Sequence, residues 1–167
     1  WPKIYLQVKR RLRAGLRFLK KCIFYLWLYL IPRILPGQFK KKPKVYFYDN
    51  ADVEGDEGAR FENLVANHLL KRLHFLEDYT GDAYSLCYLR DKEKREVDFV
   101  ITKNKRVQTL IEVKTSDESV SKNLIYYANE LKTKEGVQIV LNCKRPFHSG
   151  NILVTDPISY FTKFKPW

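Results

Sequence analysis

The sequence has 167 residues, of which 45% are hydrophobic, and it carries 31 Lys and Arg against 19 Asp and Glu. This length and composition fit one globular domain with an appendage, and the chain is long enough to bury a core. Three scattered cysteines form no C-x-x-C motif, and none of the three histidines stands at metal-ligand spacing from them. These patterns disfavour a zinc site and favour a reducing setting, so we expect a cytoplasmic protein.

The first 44 residues hold the whole excess of positive charge. They contain thirteen Lys or Arg and no acidic residue, whereas the rest of the chain is close to neutral. Leucine and isoleucine recur here at spacings of four and three, which predicts one amphipathic helix over about 5–31 that Pro32 ends. We therefore divide the chain into a basic amphipathic helix with its linker, 1–43, and a folded domain, 44–167.

Several roles stay open for this predicted helix. Its uninterrupted apolar run is about half as long as a membrane span needs, and no signal-peptide cleavage site follows it. A basic face can contact nucleic acid or lie on a membrane surface, although membrane contact is not favoured. The simplest interpretation is an apolar stripe that packs on the domain or on another module, while the charges face solvent.

The folded domain shows an alternation of strand and helix patterns. A short strand at about 45–49 precedes an acidic linker and a helix at about 59–76. The next predicted elements are three strands, a helix and two strands, at 84–89, 95–101, 107–115, 116–134, 137–141 and 152–155. Ser116 or Asp117 is expected to cap the helix at 116–134, and Asp156-Pro157 opens a final short helix. The strand–helix–strand passage at 110–141 predicts a right-handed crossover in a mixed sheet, and hence an α/β fold.

Acidic residues stand in three of these elements. Glu62 lies in the first turn of the helix at 59–76, Asp98 lies in an apolar strand, and Glu112 lies in the next strand, two residues before Lys114. Because side chains alternate along a strand, Glu112 and Lys114 should point the same way. If the two strands form a hairpin across the polar turn 102–106, Asp98 lies close to both.

This arrangement suits a metal-dependent phosphodiesterase. Mg²⁺ prefers oxygen ligands and is usually held by one or two carboxylates together with water and substrate phosphate. We expect Asp98, Glu112 and the carbonyl of Val113 to bind Mg²⁺ or Mn²⁺, and Glu62 to hold metal-bound water or a second ion. Lys114 would position or deprotonate the attacking water and oppose the charge that develops on phosphate.

The same residues have simpler explanations. The pattern E-x-K is frequent on the solvated face of a strand, and Lys114 can form a structural ion pair with either acid. Glu62 stands where a helix dipole favours an acid in any case. Against these explanations, charges within apolar runs are costly unless they are paired or bound to metal.

Six cations border the predicted hairpin: Lys92, Lys94, Arg95, Lys103, Lys105 and Arg106. Cations beside a carboxylate cluster would face the phosphates of nucleic acid. Polar turns are usually just solvated, which is the simpler interpretation for most of the six.

Taken in order, Glu62, Asp98 and Glu112-x-Lys114 resemble the PD-(D/E)xK nuclease superfamily. A closer resemblance, across about 44–155, is to the uncharacterised C-terminal domain of many bacterial and archaeal AAA-type ATPases. It rests on the segments Lys44–Asp49, Gly58–Val65, Tyr88–Asp91, Arg95–Val100 and Leu110–Lys114. This sequence has Val97 where a proline is expected before the first acid, and no glutamine-bearing helix is evident after the lysine.

The resemblance implies a restriction-endonuclease-like mixed β-sheet flanked by helices, a divalent metal, and nucleic acid as substrate. The expected function is metal-dependent phosphodiester hydrolysis, most simply by a DNA endonuclease. The alternative is a catalytically silent nuclease-like fold that serves as a binding or regulatory module of an AAA-type ATPase, in the same or another chain. The chain begins with Trp1 and has no P-loop motif. It is therefore compatible with a C-terminal piece of a longer ATPase or another fragment, and the sequence leaves this open.

Overall fold

The computed structural model describes residues 25–30, 44–116 and 119–163. Within the helix predicted over 5–31, Tyr25–Leu30 is instead a strand (β1), so the prediction is wrong there. The rest of that prediction lies outside the described residues. The segment alternates aromatic residues with leucine, a composition that favours strands, and its backbone pairs antiparallel with Lys44–Phe47 (β2). The division of the chain at residue 43 stays a prediction.

Within the described ranges, eight strands form one sheet in the order β2-β1-β3-β4-β5-β6-β8-β7. The further strands are Tyr84–Arg90 (β3), Glu96–Lys103 (β4), Arg106–Lys114 (β5), Glu135–Val140 (β6), Phe147–Ser149 (β7) and Ile152–Thr155 (β8). Strands β3, β4 and β5 pair antiparallel, whereas β5, β6 and β8 pair parallel. The expected mixed sheet is confirmed, and β7 is a strand within the predicted loop 142–150.

Helices cover the sheet at Glu57–Thr80 (α1), Lys122–Glu130 (α2) and Pro157–Thr162 (α3), and a 3₁₀ turn spans Asn50–Asp52. The predicted helix at 59–76 is confirmed and is longer at both ends. Asp56 caps α1 by accepting the N–H of Ala59 at 2.8 Å, and Gly81 ends it with a φ of 71°, a conformation that glycine adopts without strain. None of the helices in these ranges combines the length and apolarity that a membrane crossing requires.

The predicted helix at 116–134 is wrong in its bounds. Ser121, not Ser116 or Asp117, caps α2, by accepting the N–H of Leu124 at 3.4 Å. The cause is Gln138 of β6, whose buried side chain donates to the carbonyl of Ser119 and accepts from the N–H of Ser121, both at 2.9 Å. These bonds use backbone groups that a longer helix would need.

The sheet separates two apolar layers. On one side, α1 buries Leu69 in a cluster that includes Phe99 of β4; on the other side, α2 buries Tyr127 in a cluster that includes Val100. Burial of each such side chain stabilises the fold by about 1.5–3 kcal/mol. Packing on both faces therefore holds β4 and its neighbours firmly in place.

The predicted hairpin is confirmed as β4 and β5. Its turn is tighter than expected, because only Asn104 and Lys105 lie between the strands. Both residues have positive φ, 49° and 66°, as in the two-residue turns whose twist matches that of paired strands. The hairpin brings the acid-bearing part of β4 next to the end of β5.

Candidate active site

A β-bulge in β4 determines where Asp98 points. The pairing of β3 with β4 shifts so that Tyr88 stands opposite two residues, Asp98 and Phe99. Such a bulge interrupts the strict alternation of side chains. Phe99 is buried beneath α1, and the preceding Asp98 also reaches this side, where its Oδ1 lies 3.3 Å from the ammonium of Lys44. Without the bulge the two side chains would face opposite sides of the sheet.

The ammonium of Lys44 lies among three carboxylates. Its Nζ is 2.6 Å from Glu96, 3.2 Å from Glu62 and 3.3 Å from Asp98, and all four side chains are only 18–24% exposed. The hydroxyl of Tyr46, two residues along β2, donates to the same Glu62 oxygen at 2.5 Å. Burial alone lowers the pKa of Lys44, but Asp98, Glu62 and Glu96 outweigh burial and raise it. Lys44 therefore stays charged at neutral pH.

Two asparagines of α1 hold β2, and with it Lys44, in position. Buried Asn63 accepts the N–H of Phe47 at 2.7 Å and donates to the carbonyl of the same residue at 2.9 Å. Asn67, one helical turn later, donates to that carbonyl at 2.8 Å. The end of β2 is thus anchored to the helix that carries Glu62.

Glu112 and Lys114 lie towards α2. Glu112 stands two residues after Leu110, and Leu110 packs beneath α2. The residue of β6 that pairs with Glu112 is Gln138. The Oε1 atom of Glu112 lies 2.9 Å from the ammonium of Lys114, which confirms that the two side chains point the same way. Its Oε2 is buried and has no hydrogen-bond donor in the part of the chain that the structure describes. Burial raises the pKa of Glu112, and Lys114 and Ser121 oppose this shift only in part.

Asp98 connects the two groups of charges. Its Oδ2 accepts the backbone N–H of Val113 at 3.0 Å, and Val113 stands between Glu112 and Lys114. Burial, together with the charges of Glu62 and Glu112, raises the pKa of Asp98 to about 7, although Lys44 and the N–H of Val113 act in the opposite direction. Asp98 therefore titrates near neutral pH.

The donor set partly fits a divalent ion. Among the described residues, no group of three His, Cys, Asp or Glu side chains is arranged to hold a metal, and Lys44 occupies the space that Glu62, Glu96 and Asp98 share. Two carboxylates suffice for Mg²⁺ when water and phosphate complete its shell. Asp98 and Glu112 as this pair stay a prediction, for which the unmatched Oε2 of Glu112 is a ligand atom of the right kind. The carbonyl of Val113 as a ligand stays a prediction.

The six cations of the predicted phosphate-facing rim lie at the two ends of β4. Lys92, Lys94 and Arg95 precede the strand, whereas Lys103, Lys105 and Arg106 surround its far turn. The second group lies on the order of 15 Å from Asp98 along the strand. Arg95 is held by Asp91 and Lys103 by Asp82, each at 2.6 Å. Only the first group is therefore near the acids.

Sequence reasoning missed the roles of Lys44, Tyr46 and Glu96. Lys44 ends a run of basic residues and looks like one more member of it. Glu96 stands two residues before Asp98, and Lys44 stands two residues before Tyr46, so the alternation of strands was a signal that could have paired them. No local pattern showed that the Glu96 and Asp98 pair on β4 meets the Lys44 and Tyr46 pair on β2.

A family described as a domain of unknown function (DUF4143) matches residues 57–160, so the chain belongs to that family. The family is found in ATPase-associated proteins, which agrees with the resemblance to an ATPase-linked domain. No curated protein and no solved structure gives a match. The matched range includes Glu62, Asp98, Glu112 and Lys114, and it begins after Lys44. Membership of the PD-(D/E)xK superfamily remains a proposal.

Proposed function

We propose that this member of the DUF4143 family hydrolyses phosphodiester bonds in nucleic acid, most simply as a DNA endonuclease of the PD-(D/E)xK type that uses Mg²⁺ or Mn²⁺. The supporting observation is the carboxylate of Asp98. It bonds to the backbone in the middle of Glu112-x-Lys114, and its pKa lies at about 7 because burial and neighbouring acids oppose its ionisation. A divalent cation would relieve this crowding of negative charge, and carboxylates with perturbed pKa values are frequent at functional sites.

The chain's own residues take distinct roles under this proposal. Asp98 and Glu112 would hold the ion, which supplies positive charge to the phosphate and increases the acidity of water when it is bound. Lys114 is 37% exposed and is held by Glu112 at 2.9 Å, so its ammonium can meet a phosphate at the surface and oppose the developing charge. Glu62 already accepts hydrogen bonds from Lys44 and Tyr46, and we assign it to positioning.

The spacing of the six basic residues suits contact with a DNA duplex that extends well beyond the bond to be cleaved. The two cationic groups at the ends of the eight-residue strand β4 are separated by a distance on the order of 25 Å, which corresponds to about seven base pairs along the axis of B-DNA. One duplex can therefore contact Lys92, Lys94 and Arg95 beside the acids and also Lys103, Lys105 and Arg106 at the far turn. Phosphate contacts of this kind would position the substrate without reading its sequence.

A second function is a catalytically silent module that binds or regulates an AAA-type ATPase. Two observations favour it. Each acid of the site already has a cationic partner, since Lys44 pairs with Glu62, Glu96 and Asp98, and Lys114 pairs with Glu112. In addition, the family occurs in ATPase-associated proteins. Such a module would need no metal, and this difference separates the two proposals.

Calorimetric titration with Mn²⁺ tests the proposed activity. Wild type should bind the ion, and Asp98→Asn and Glu112→Gln should each weaken binding at least about tenfold, because each removes a carboxylate ligand. Asp82→Asn is the matched control, since this acid pairs with Lys103 at the far end of the hairpin and should not matter. Cleavage assays on duplex, single-stranded and branched DNA then identify the substrate. If wild type binds no Mn²⁺ at millimolar concentration, the nuclease proposal fails and the silent module is favoured.

A further inference from the structure

We infer that Lys44 supplies, as a built-in cation, the positive charge that Glu62 and Asp98 would otherwise take from a second metal ion. The site therefore takes one divalent ion, on Asp98 and Glu112, and excludes another on the Lys44 side. This inference rests on the proposed function for the ion on Asp98 and Glu112. To the proposed function it adds the number of metal ions, which is one, and the residue that sets this number, which is Lys44.

The contacts of Lys44 leave it no donor for a substrate. An ammonium group has three N–H donors, and within the described residues Lys44 has three carboxylate partners, at 2.6, 3.2 and 3.3 Å. The donors are thus directed at the protein's own acids and not at a phosphate. Lys44 is accordingly a positioning residue, in contrast to the more exposed Lys114.

The position of Lys44 is also fixed by its strand. Asn63 and Asn67 bond the end of β2 to α1, and the side chain of Lys44 is only 22% exposed. A divalent ion placed among the same oxygens would lie within a few ångströms of the ammonium, and the two cations would repel each other strongly in this shielded space. The carboxylate of Glu62 is also less available to a metal ion, because the hydroxyl of Tyr46 donates to the oxygen that Lys44 contacts.

The two carboxylate oxygens of Asp98 face different groups of charges. Asp98 contacts Lys44 through Oδ1, whereas its Oδ2 faces the backbone of β5 beside Glu112. Glu112, whose buried Oε2 has no donor in the described ranges, directly precedes Val113 in β5. Oδ1 of Asp98 thus has its cation in the chain itself, whereas Oδ2 points to the strand that carries the unmatched oxygen.

The number of bound Mn²⁺ ions tests the inference directly. We would count ions by calorimetry and by electron paramagnetic resonance, and would verify folding by circular dichroism. The expected stoichiometry is one ion for wild type, two for Lys44→Ala, and one for Lys44→Arg, which keeps the charge. Lys103→Ala is the matched control, because it removes a lysine from a 2.6 Å ion pair elsewhere on the sheet, and it should bind one ion.

A variant that keeps Lys44 covers the case in which Lys44→Ala does not fold. With Lys44 in place Glu62 holds no metal, so Glu62→Gln should still bind one ion. A fall from two ions to one, or a loss of binding, in this variant overturns the inference.

The outcomes separate this inference from the proposed function. Two ions in wild type, or one ion in folded Lys44→Ala, overturn the role of Lys44 and leave the nuclease proposal standing. No ion in wild type overturns the nuclease proposal. In that case the role of Lys44 stands only if Lys44→Ala gains an ion that wild type lacks, and it fails if the variant also binds none.

Discussion

The Oδ2 atom of Asp98 accepts a hydrogen bond from the backbone N–H of Val113 at 3.0 Å. The bond lies just beyond the point where β4 and β5 stop pairing, at Phe99 and Ile111. It satisfies an N–H that the diverging strands leave without a ladder partner. It also joins the acids around Lys44 to the Glu112–Lys114 pair, so that both groups respond to the ionisation of Asp98.

The first prediction concerns the dependence of stability on pH in metal-free buffer. The pKa of Asp98 is about 7 in the folded protein, against an ordinary value of 3.8. Between these pH values the folded state keeps a proton that the unfolded chain has released. The stability that this group contributes is therefore fully present below pH 3.8 and is lost as the pH rises through about 7.

Asp98→Asn has no such proton. The free energy of unfolding of wild type minus that of Asp98→Asn should therefore fall from pH 4 to pH 8, by about 1 kcal/mol or more. Urea denaturation at four pH values in this range measures the difference. Parallel pH profiles would contradict the raised pKa of Asp98.

The second prediction concerns Lys114. Lys114→Ala should lower the rate of DNA cleavage by about 10²–10³-fold, because it removes the cation that opposes charge on the phosphate. Mn²⁺ should still bind, since both carboxylates remain. Cleavage of a labelled duplex and calorimetry on the same preparations provide the two measurements. Exposed Lys134 serves as the control position, and a Lys114→Ala protein that cleaves as fast as Lys134→Ala would exclude the proposed role.

The third prediction concerns the anchoring of β2. Asn63→Ala removes hydrogen bonds to both backbone groups of Phe47 and to Asn50, and should lower the free energy of unfolding by about 2–4 kcal/mol. Asn67→Ala removes only donor bonds to carbonyls at the strand end, and should cost about 1 kcal/mol. Urea denaturation compares the two variants. Equal losses would mean that the buried amide of Asn63 is not the main anchor.

The fourth prediction concerns the residues that precede α2. Gln138→Met keeps the volume of the side chain but leaves the N–H of Ser121 and the carbonyl of Ser119 without their partner. The expected loss of unfolding free energy is about 2–3 kcal/mol, and hydrogen exchange at Ser121 should accelerate. The matched control is Gln108→Met at an exposed position, for which we expect a change within about 0.5 kcal/mol. If exchange at Ser121 does not change, Gln138 does not hold this segment.

Local patterns in the sequence were sufficient for much of the domain. The spacing of apolar residues in α1 and the two apolar runs around a polar turn predicted α1 and the β4–β5 hairpin, because periodicity and turn chemistry act over a few residues. The shared direction of Glu112 and Lys114 followed from strand alternation for the same reason.

Where the predictions were wrong, a distant segment decided the structure. Tyr25–Leu30 satisfies both helical leucine spacing and strand alternation, and its pairing with β2 selects the strand. Likewise α2 begins at Lys122 because Gln138 binds the backbone of Ser119 and Ser121, nineteen and seventeen residues away in sequence. Local propensity yields to such tertiary contacts.

The candidate site also has a part that the sequence predicted and a part that only the tertiary structure decided. From the sequence alone came the acids Glu62, Asp98 and Glu112, the lysine beside them, and the expectation that strands would bring them together. Only the tertiary structure turned Asp98 through a bulge and placed Lys44 among the carboxylates, 18 residues from Glu62 and 54 from Asp98 along the chain. Contacts across such separations depend on how β2, α1 and β4 pack, and no pattern within a single element encodes that packing.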